Sequence, residues 1–125
     1  IMTPGKPFYF DHYQSKDPND SLAIHGYNST EAVYNYQIIP EALKKAGLAH
    51  KIIGGQGNVW TEYMEWSTKV DYMIFPRMTA LSENLWSKNK NYSDFLKRLD
   101  SVMITRYQFW NSSYFKEYKV WGKEK

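Results

Sequence analysis

The 125-residue chain has no cysteine. Disulfides, thiolate metal sites and cysteine nucleophiles are thereby excluded, and the compartment stays open. Strong charge of one sign is missing too: 16 Lys and Arg stand against 13 Asp and Glu, a net of +3. The lysines are scattered, with a small cluster only at the C-terminal end. No basic stripe for nucleic acid is present, and the basic end reads as a solvated terminus. No apolar run reaches the length of a membrane span, and no signal-peptide pattern is visible. Histidine is scarce: the three residues His12, His25 and His50 lack metal-ligand spacing, and no Asp or Glu completes a site with them. A natural-looking beginning is also missing. Ile1-Met2-Thr3-Pro4 reads as the middle of something, so a fragment is expected.

Aromatic residues are plentiful. They make up 18% of the chain, with 11 Tyr and 5 Trp. Flat rings stack on flat apolar faces, which sugars present, although aromatic side chains more often fill cores. Hydrophobic residues at 42% suffice for a packed core, and 23% charged residues is ordinary for a globular chain of one-domain size.

Local signals organise the chain. Residues 1–4 read as a strand end, and 9–21 (YFDHYQSKDPNDS) as a polar loop. Ser29 or Thr30, followed by Glu31, signals a helix start. Residues 40–47 (PEALKKAG) read as a short helix, with Pro40 in its first turn and Gly47 at its stop. Residues 49–55 (AHKIIGG) read as a buried strand. Residues 69–86 carry helical periodicity, with Pro76 at a bend or a helix start. Residues 91–110 predict an amphipathic helix with Phe95, Leu96, Leu99, Val102, Met103 and Tyr107 on its apolar stripe and Ser93 or Asp94 as cap. Strands alternating with helices predict a parallel sheet and an α/β class, in which sites gather at the carboxyl ends of strands. Both YFDHY and NVWTEY lie just past a predicted strand. Each offers rings for apolar faces and a carboxylate for hydroxyl hydrogen bonds.

The blocks YFDHYQ (9–14), IHGYNSTEAVYNYQIIP (24–40), GGQGNVWTEYM (54–64) and VDYMIFPRMTALSENLWS (70–87) resemble successive blocks of the family-20 glycoside hydrolases, the β-N-acetylhexosaminidases. The resemblance covers roughly residues 1–110, leaving 111–125 as a C-terminal tail. It implies a (β/α)8 TIM barrel, of which this chain would supply the last two strands and the closing helices, since a whole barrel needs about 250 residues. By the same resemblance, Tyr9 matches the tyrosine that bonds the substrate's acetamido carbonyl, which makes it the catalytic candidate. Asp11 matches a carboxylate for outer sugar hydroxyls, Trp60 a tryptophan lining the pocket, and Glu62 a glutamate holding outer hydroxyls of the terminal sugar.

The implied mechanism is substrate-assisted and retaining, and needs no metal or organic cofactor. The expected partners are a glycan or oligosaccharide ending in N-acetylhexosamine and the remainder of the barrel. A periplasmic or extracellular location is what the family leads one to expect. The block that carries the family's catalytic Asp-Glu pair, GGDE in typical members, is absent, so the chain alone is expected to be inactive and poorly stable. A non-catalytic sugar-binding remnant and a vestigial half-barrel are the alternatives. Arg77 and Glu83 read as a structural pair or cap, and Trp86 as core packing. His12 sits near the pocket loop. The Asn-x-Ser/Thr triplets at Asn19, Asn28, Asn91 and Asn111 matter only in a eukaryotic secretory setting.

Overall fold

A computed structural model describes residues 1–121. The last residues of the basic end and of the 111–125 tail, numbers 122–125, lie outside the described residues. The order is a short turn of helix α1 (Gly5–Phe8), strands β1 (His12–Tyr13) and β2 (Ile24–Tyr27), then helices α2 (Thr30–Asn35) and α3 (Glu41–Lys45). A single 3-10 turn at Ala49–Lys51 follows. Then come α4 (Ser67–Ile74), α5 (Arg77–Trp86), α6 (Tyr92–Arg98), a π-helical turn at Leu99–Met103, α7 (Ile104–Phe109) and α8 (Tyr118–Trp121).

The strand pairing is narrow and parallel. β1 pairs with β2, with His12 opposite Ile24 and Tyr13 opposite Tyr27, so the register shifts between them. On its other side the same stretch of chain makes two isolated parallel bridges, Met2 to Gly55 and Tyr9 to Asn58. Residues 2–13 therefore run between 24–27 and 55–58, with α2 and α3 in the connection. This is the α/β arrangement that the alternating pattern predicts.

Side chains explain where the helices begin and end. Ser29 Oγ accepts from the Ala32 N–H at 3.1 Å and caps α2. Pro40 precedes α3, and Gly47 at φ +69° follows it in the left-handed region that only glycine enters freely. The 69–86 stretch is two helices broken at Phe75-Pro76, because Pro76 has no N–H to continue the ladder. Asn91, not Ser93 or Asp94, caps α6: its Oδ1 accepts from the Asp94 N–H at 3.0 Å. The stretch 91–110 is interrupted by the π turn. Phe95, Leu99 and Tyr107 from its predicted stripe are buried, whereas Val102 is turned out to solvent.

Two further expectations are corrected. Residues 49–55 do not form a buried strand. Ala49–Lys51 coil into the 3-10 turn, Ile53 is 80% exposed, and only Gly55 in that stretch bridges to a neighbouring segment. An apolar pair such as Ile52-Ile53 carries no period that could tell strand from turn. Trp86, expected to pack against the barrel, is 86% exposed at the end of α5 and packs into no core of the described residues. The loop 9–21 also contains β1, too short to announce itself in sequence.

The core gathers Phe8 and Phe10 from the strand segment, Val33 and Tyr34 from α2, Ala80 and Leu81 from α5, and Phe95, Leu99 and Tyr107 from the last helices. Phe115 and Tyr118 close it, and the Phe115 N–H donates to the Phe75 carbonyl at 3.0 Å. Each such fully buried aliphatic or phenyl side chain contributes about 1.5–3 kcal/mol of transfer free energy. Asn84 ties α5 to α2: its Nδ2 donates to the carbonyls of Val33 at 2.8 Å and Tyr36 at 2.9 Å, satisfying the open C-terminal end of α2.

Candidate functional site

Backbone pairing brings the two aromatic-and-carboxylate segments together. The Phe10 N–H donates to the Asn58 carbonyl at 2.8 Å, and the Asn58 N–H donates to the Phe8 carbonyl at 2.8 Å. These bonds set Tyr9 directly beside Asn58, two residues before Trp60. The approach is close. A Cβ at Gly57 would stand 2.6 Å from the Phe10 ring, so the small residue of GGQGNVW is what lets the segments meet. Asn28, buried at 1% exposure, holds the turn before Tyr9 by donating from Nδ2 to the Gly5 carbonyl at 2.9 Å and the Tyr9 carbonyl at 2.8 Å.

The four candidate residues differ in setting. Tyr9 is half-buried, and its ring meets the His12 ring edge-on, centroids 6.1 Å apart. Asp11 is buried at 4% exposure, and its Oδ1 has no hydrogen-bond partner. Trp60 is 57% exposed. Glu62 is exposed and lines a shallow cavity of about 290 Å3 with Ser21, Leu22, Tyr63, Glu65, Trp66 and Lys69. Tyr9, Asp11 and Trp60 do not line that cavity. The strand pairing thus joins Tyr9 to the segment leading into Trp60, while Glu62 looks into a separate depression.

Beneath Tyr9 and Asp11 lies a residue whose importance the sequence reading missed. Arg77 is completely buried. Its Nε donates to the Met73 carbonyl at 3.2 Å, one terminal nitrogen to His12 at 3.0 Å and Asn28 at 3.1 Å, and the other to Phe10 at 2.5 Å and Met73 at 2.6 Å. All five guanidinium N–H groups are used, each on a backbone carbonyl. The Phe10 ring covers the guanidinium at 5.0 Å. Burial pulls the Arg77 pKa down, and the charge of Asp11 acts in the opposite sense. Full hydrogen bonding with a nearby carboxylate is what makes such a buried cation tolerable. The expected Arg77–Glu83 pair is not formed. Glu83 instead receives Arg98 at 2.8 Å on the outer face.

One sequence signal could have exposed the role of Arg77. Arg77, Ala80, Leu81 and Asn84 form the buried stripe of α5, at spacings of three, one and three. Two polar residues on an apolar stripe announce buried hydrogen-bond work.

His12 is set between these groups. Its Nδ1 is buried without a partner, and desolvation lowers its pKa. Among the described residues, no group of three or more His, Asp or Glu could hold a metal ion, and no helix is long and apolar enough to cross a membrane. Asn28 cannot accept a glycan in the folded chain, because its side chain is enclosed and its amide nitrogen is already engaged.

The fold is one found in solved glycoside hydrolases. It matches the family-20 β-N-acetylhexosaminidase of Streptomyces coelicolor A3(2) with a TM-score of 0.78 at 21% identity, over 93% of this chain and 23% of that one. The exo-β-N-acetylglucosaminidase of Vibrio harveyi, solved with N-acetylglucosamine, matches with a TM-score of 0.72 at 28% identity, over 90% of this chain and 18% of that one. The chain belongs to glycosyl hydrolase family 20, whose catalytic-domain model matches residues 1–89. A beta-hexosaminidase of Porphyromonas gingivalis is 38% identical over 107 residues, 83% of this chain. One of Vibrio furnissii is 32% identical over 83 residues, 66% of this chain. The chain spans 14% of the length of each of these two relatives.

Proposed function

We propose that this chain is the C-terminal part of the catalytic (β/α)8 barrel of a β-N-acetylhexosaminidase, an enzyme releasing terminal non-reducing N-acetylhexosamine from glycans. The observation that carries the reading is the parallel backbone pairing of Tyr9 with Asn58, which sets YFD beside NVWTE inside the family-matched residues. In this reading the Tyr9 hydroxyl donates to the substrate's acetamido carbonyl and orients it. Trp60 offers its indole to the apolar side of the terminal sugar. Glu62 and Asp11 accept from outer hydroxyls.

The reaction in this reading is the one the family resemblance implies. The acetamido oxygen attacks the anomeric carbon, the glycosidic C–O bond breaks, and a general acid outside this chain gives its proton to the leaving oxygen. Water then attacks the same carbon from the face opposite the acetamido oxygen, giving its proton to the deprotonated general acid as the oxazolinium C–O bond breaks, and two inversions retain the configuration. Tyr9 contributes by holding the internal nucleophile in line.

The remainder of the barrel is the partner this reading requires. Ile1 is 65% exposed, and with Ile53 and Trp86 it lines an apolar hollow of about 420 Å3 beside Gly54 and Gly55. Exposed apolar surface against an open strand edge calls for cover.

The test is turnover of 4-nitrophenyl N-acetyl-β-D-glucosaminide by the full-length polypeptide that contains this segment, with the product anomer read by NMR. Retention is expected. Glu62→Gln is expected to raise KM about tenfold with kcat little changed, and Tyr9→Phe to lower kcat about 100-fold. Inversion, or the absence of turnover by the full-length polypeptide, refutes the proposal.

A further inference from the structure

We infer that His12 is a positioning residue that aims the Tyr9 phenol, held by a slot built from a strand irregularity and Gly26. The inference rests on the hydrolase reading above and adds a residue to which the family resemblance gives no role.

The slot is visible in three independent features. First, the β1–β2 register slips between His12 and Tyr13: one residue on β1 spans three on β2, from Ile24 to Tyr27. Such irregularities bend a strand and redirect the side chain at the slip. Second, the extra residues include Gly26, at φ +132°, a conformation that side-chain-bearing residues avoid. A Cβ there would stand 2.0 Å from His12 Nδ1 and 2.7 Å from Cε1. The imidazole therefore lies directly on the Gly26 backbone and occupies the space a side chain would need. Third, the imidazole meets the Tyr9 ring at 77° between planes, edge to face, with centroids 6.1 Å apart.

The His12 backbone is fixed as firmly as its ring. Its carbonyl accepts from Arg77 at 3.0 Å, and its N–H approaches the Tyr9 carbonyl at 3.4 Å. The ring thus packs against both a backbone wall and Tyr9. Its Nδ1 side is turned onto the Gly26 backbone, so the ring acts through Tyr9 rather than on substrate. Asp11, Arg77, Lys6 and His25 are the charged and titratable groups that bear on it: burial, chiefly, with Arg77, Lys6 and His25 in the same sense, lowers its pKa, and only the charge of Asp11 opposes them. A phenol misaimed by a fraction of an ångström would hold the acetamido group out of line, which is costly to the chemical step and cheap to binding.

The test is a double-mutant cycle in the full-length polypeptide, assayed on 4-nitrophenyl N-acetyl-β-D-glucosaminide. His12→Ala is expected to lower kcat about tenfold with KM within about twofold of wild type. In the Tyr9→Phe background the same change is expected to alter kcat less than about twofold, because the hydroxyl being aimed is gone. His12→Phe, which keeps a ring edge against Tyr9, is expected to retain most of the activity and covers the case in which the alanine variant fails to fold. Equal losses of kcat with and without the Tyr9 hydroxyl, a loss confined to KM, or a phenylalanine variant as impaired as a folded alanine variant each overturn the inference. Wild-type turnover together with any of these results leaves the hydrolase reading standing. Absence of wild-type turnover removes both.

Discussion

Replacing Arg77 by lysine keeps the charge and is expected to cost far more than the same replacement at Arg98. Arg77 places five N–H groups on the carbonyls of Phe10, His12, Asn28 and Met73, which come from three separate stretches of chain. Lysine has three N–H groups on one nitrogen and no fork. From one point it reaches two of those carbonyls, leaving two buried acceptors without donors. Each such group costs about 1–3 kcal/mol, so the loss is about 4 kcal/mol. That is a large share of the roughly 5–15 kcal/mol by which domains are stable. With a urea slope of about 2 kcal/mol per molar, the midpoint falls by about 2 M.

Arg98 is the internal control. It bridges Glu83 and Asp94 on the surface, its own side chain 49% exposed, and exposed pairs contribute under about 1 kcal/mol. Arg98→Lys is expected to move the midpoint by less than about 0.5 M. The assay is urea unfolding of the full-length polypeptide followed by tryptophan fluorescence. An Arg77→Lys midpoint within about 0.5 M of wild type would show that the guanidinium geometry is dispensable and refute the argument.

Gly26→Ala is expected to destabilise by at least about 2 kcal/mol, from a forced left-handed backbone and a collision with the imidazole. Melting temperatures should show part of that loss relieved when His12→Ala is added; a fully additive pair would exclude the collision. The Glu83 carboxyl is held below its usual pKa, chiefly by the hydrogen bond from Arg98. A depressed folded-state value means that the contribution is present above the unfolded value of about 4.5 and is lost as pH falls through the folded one. Wild type should therefore lose up to about 1 kcal/mol more than Glu83→Gln between pH 6 and pH 3, read from paired urea midpoints. Parallel pH profiles would rule out the coupling.

The parts of the fold that were legible in sequence are those fixed by neighbours in the chain. Ser29 caps its own helix three residues away, Gly47 stops α3 and Pro76 breaks a helix, each by a local hydrogen bond or its absence. The α/β class followed from the alternation of such signals. What stayed hidden depends on groups far apart in sequence. Arg77 looked like half of an ion pair, yet three of its four carbonyl partners lie 49 to 67 residues away. The 49–55 stretch looked like strand because of its apolar pair, but strand pairing there belongs to Gly55 and Asn58, whose partners are Met2 and Tyr9. The sequence offers Ser93 or Asp94 as the cap of α6, and only the folded backbone selects Asn91 in their place. Of the site, Tyr9, Asp11, Trp60 and Glu62 came from motif resemblance. The Gly26 slot that receives His12 leaves no sequence trace beyond one glycine.

The enclosure of Asn28 bears on the choice of cell in which this polypeptide is made. Asn28-Ser29-Thr30 is an acceptor triplet for N-glycosylation, and a eukaryotic secretory pathway modifies such asparagines on the extended chain as it emerges. In the folded protein the same amide nitrogen is bonded to the carbonyls of Gly5 and Tyr9 and has no route to solvent. A glycan added at that moment would take one of those hydrogens and hold the turn below Tyr9 apart. Secretion from yeast or insect cells would then yield a chain barred from its own native state, whereas a bacterial host would not, and Asn28→Asp would spare the attachment without restoring the two bonds.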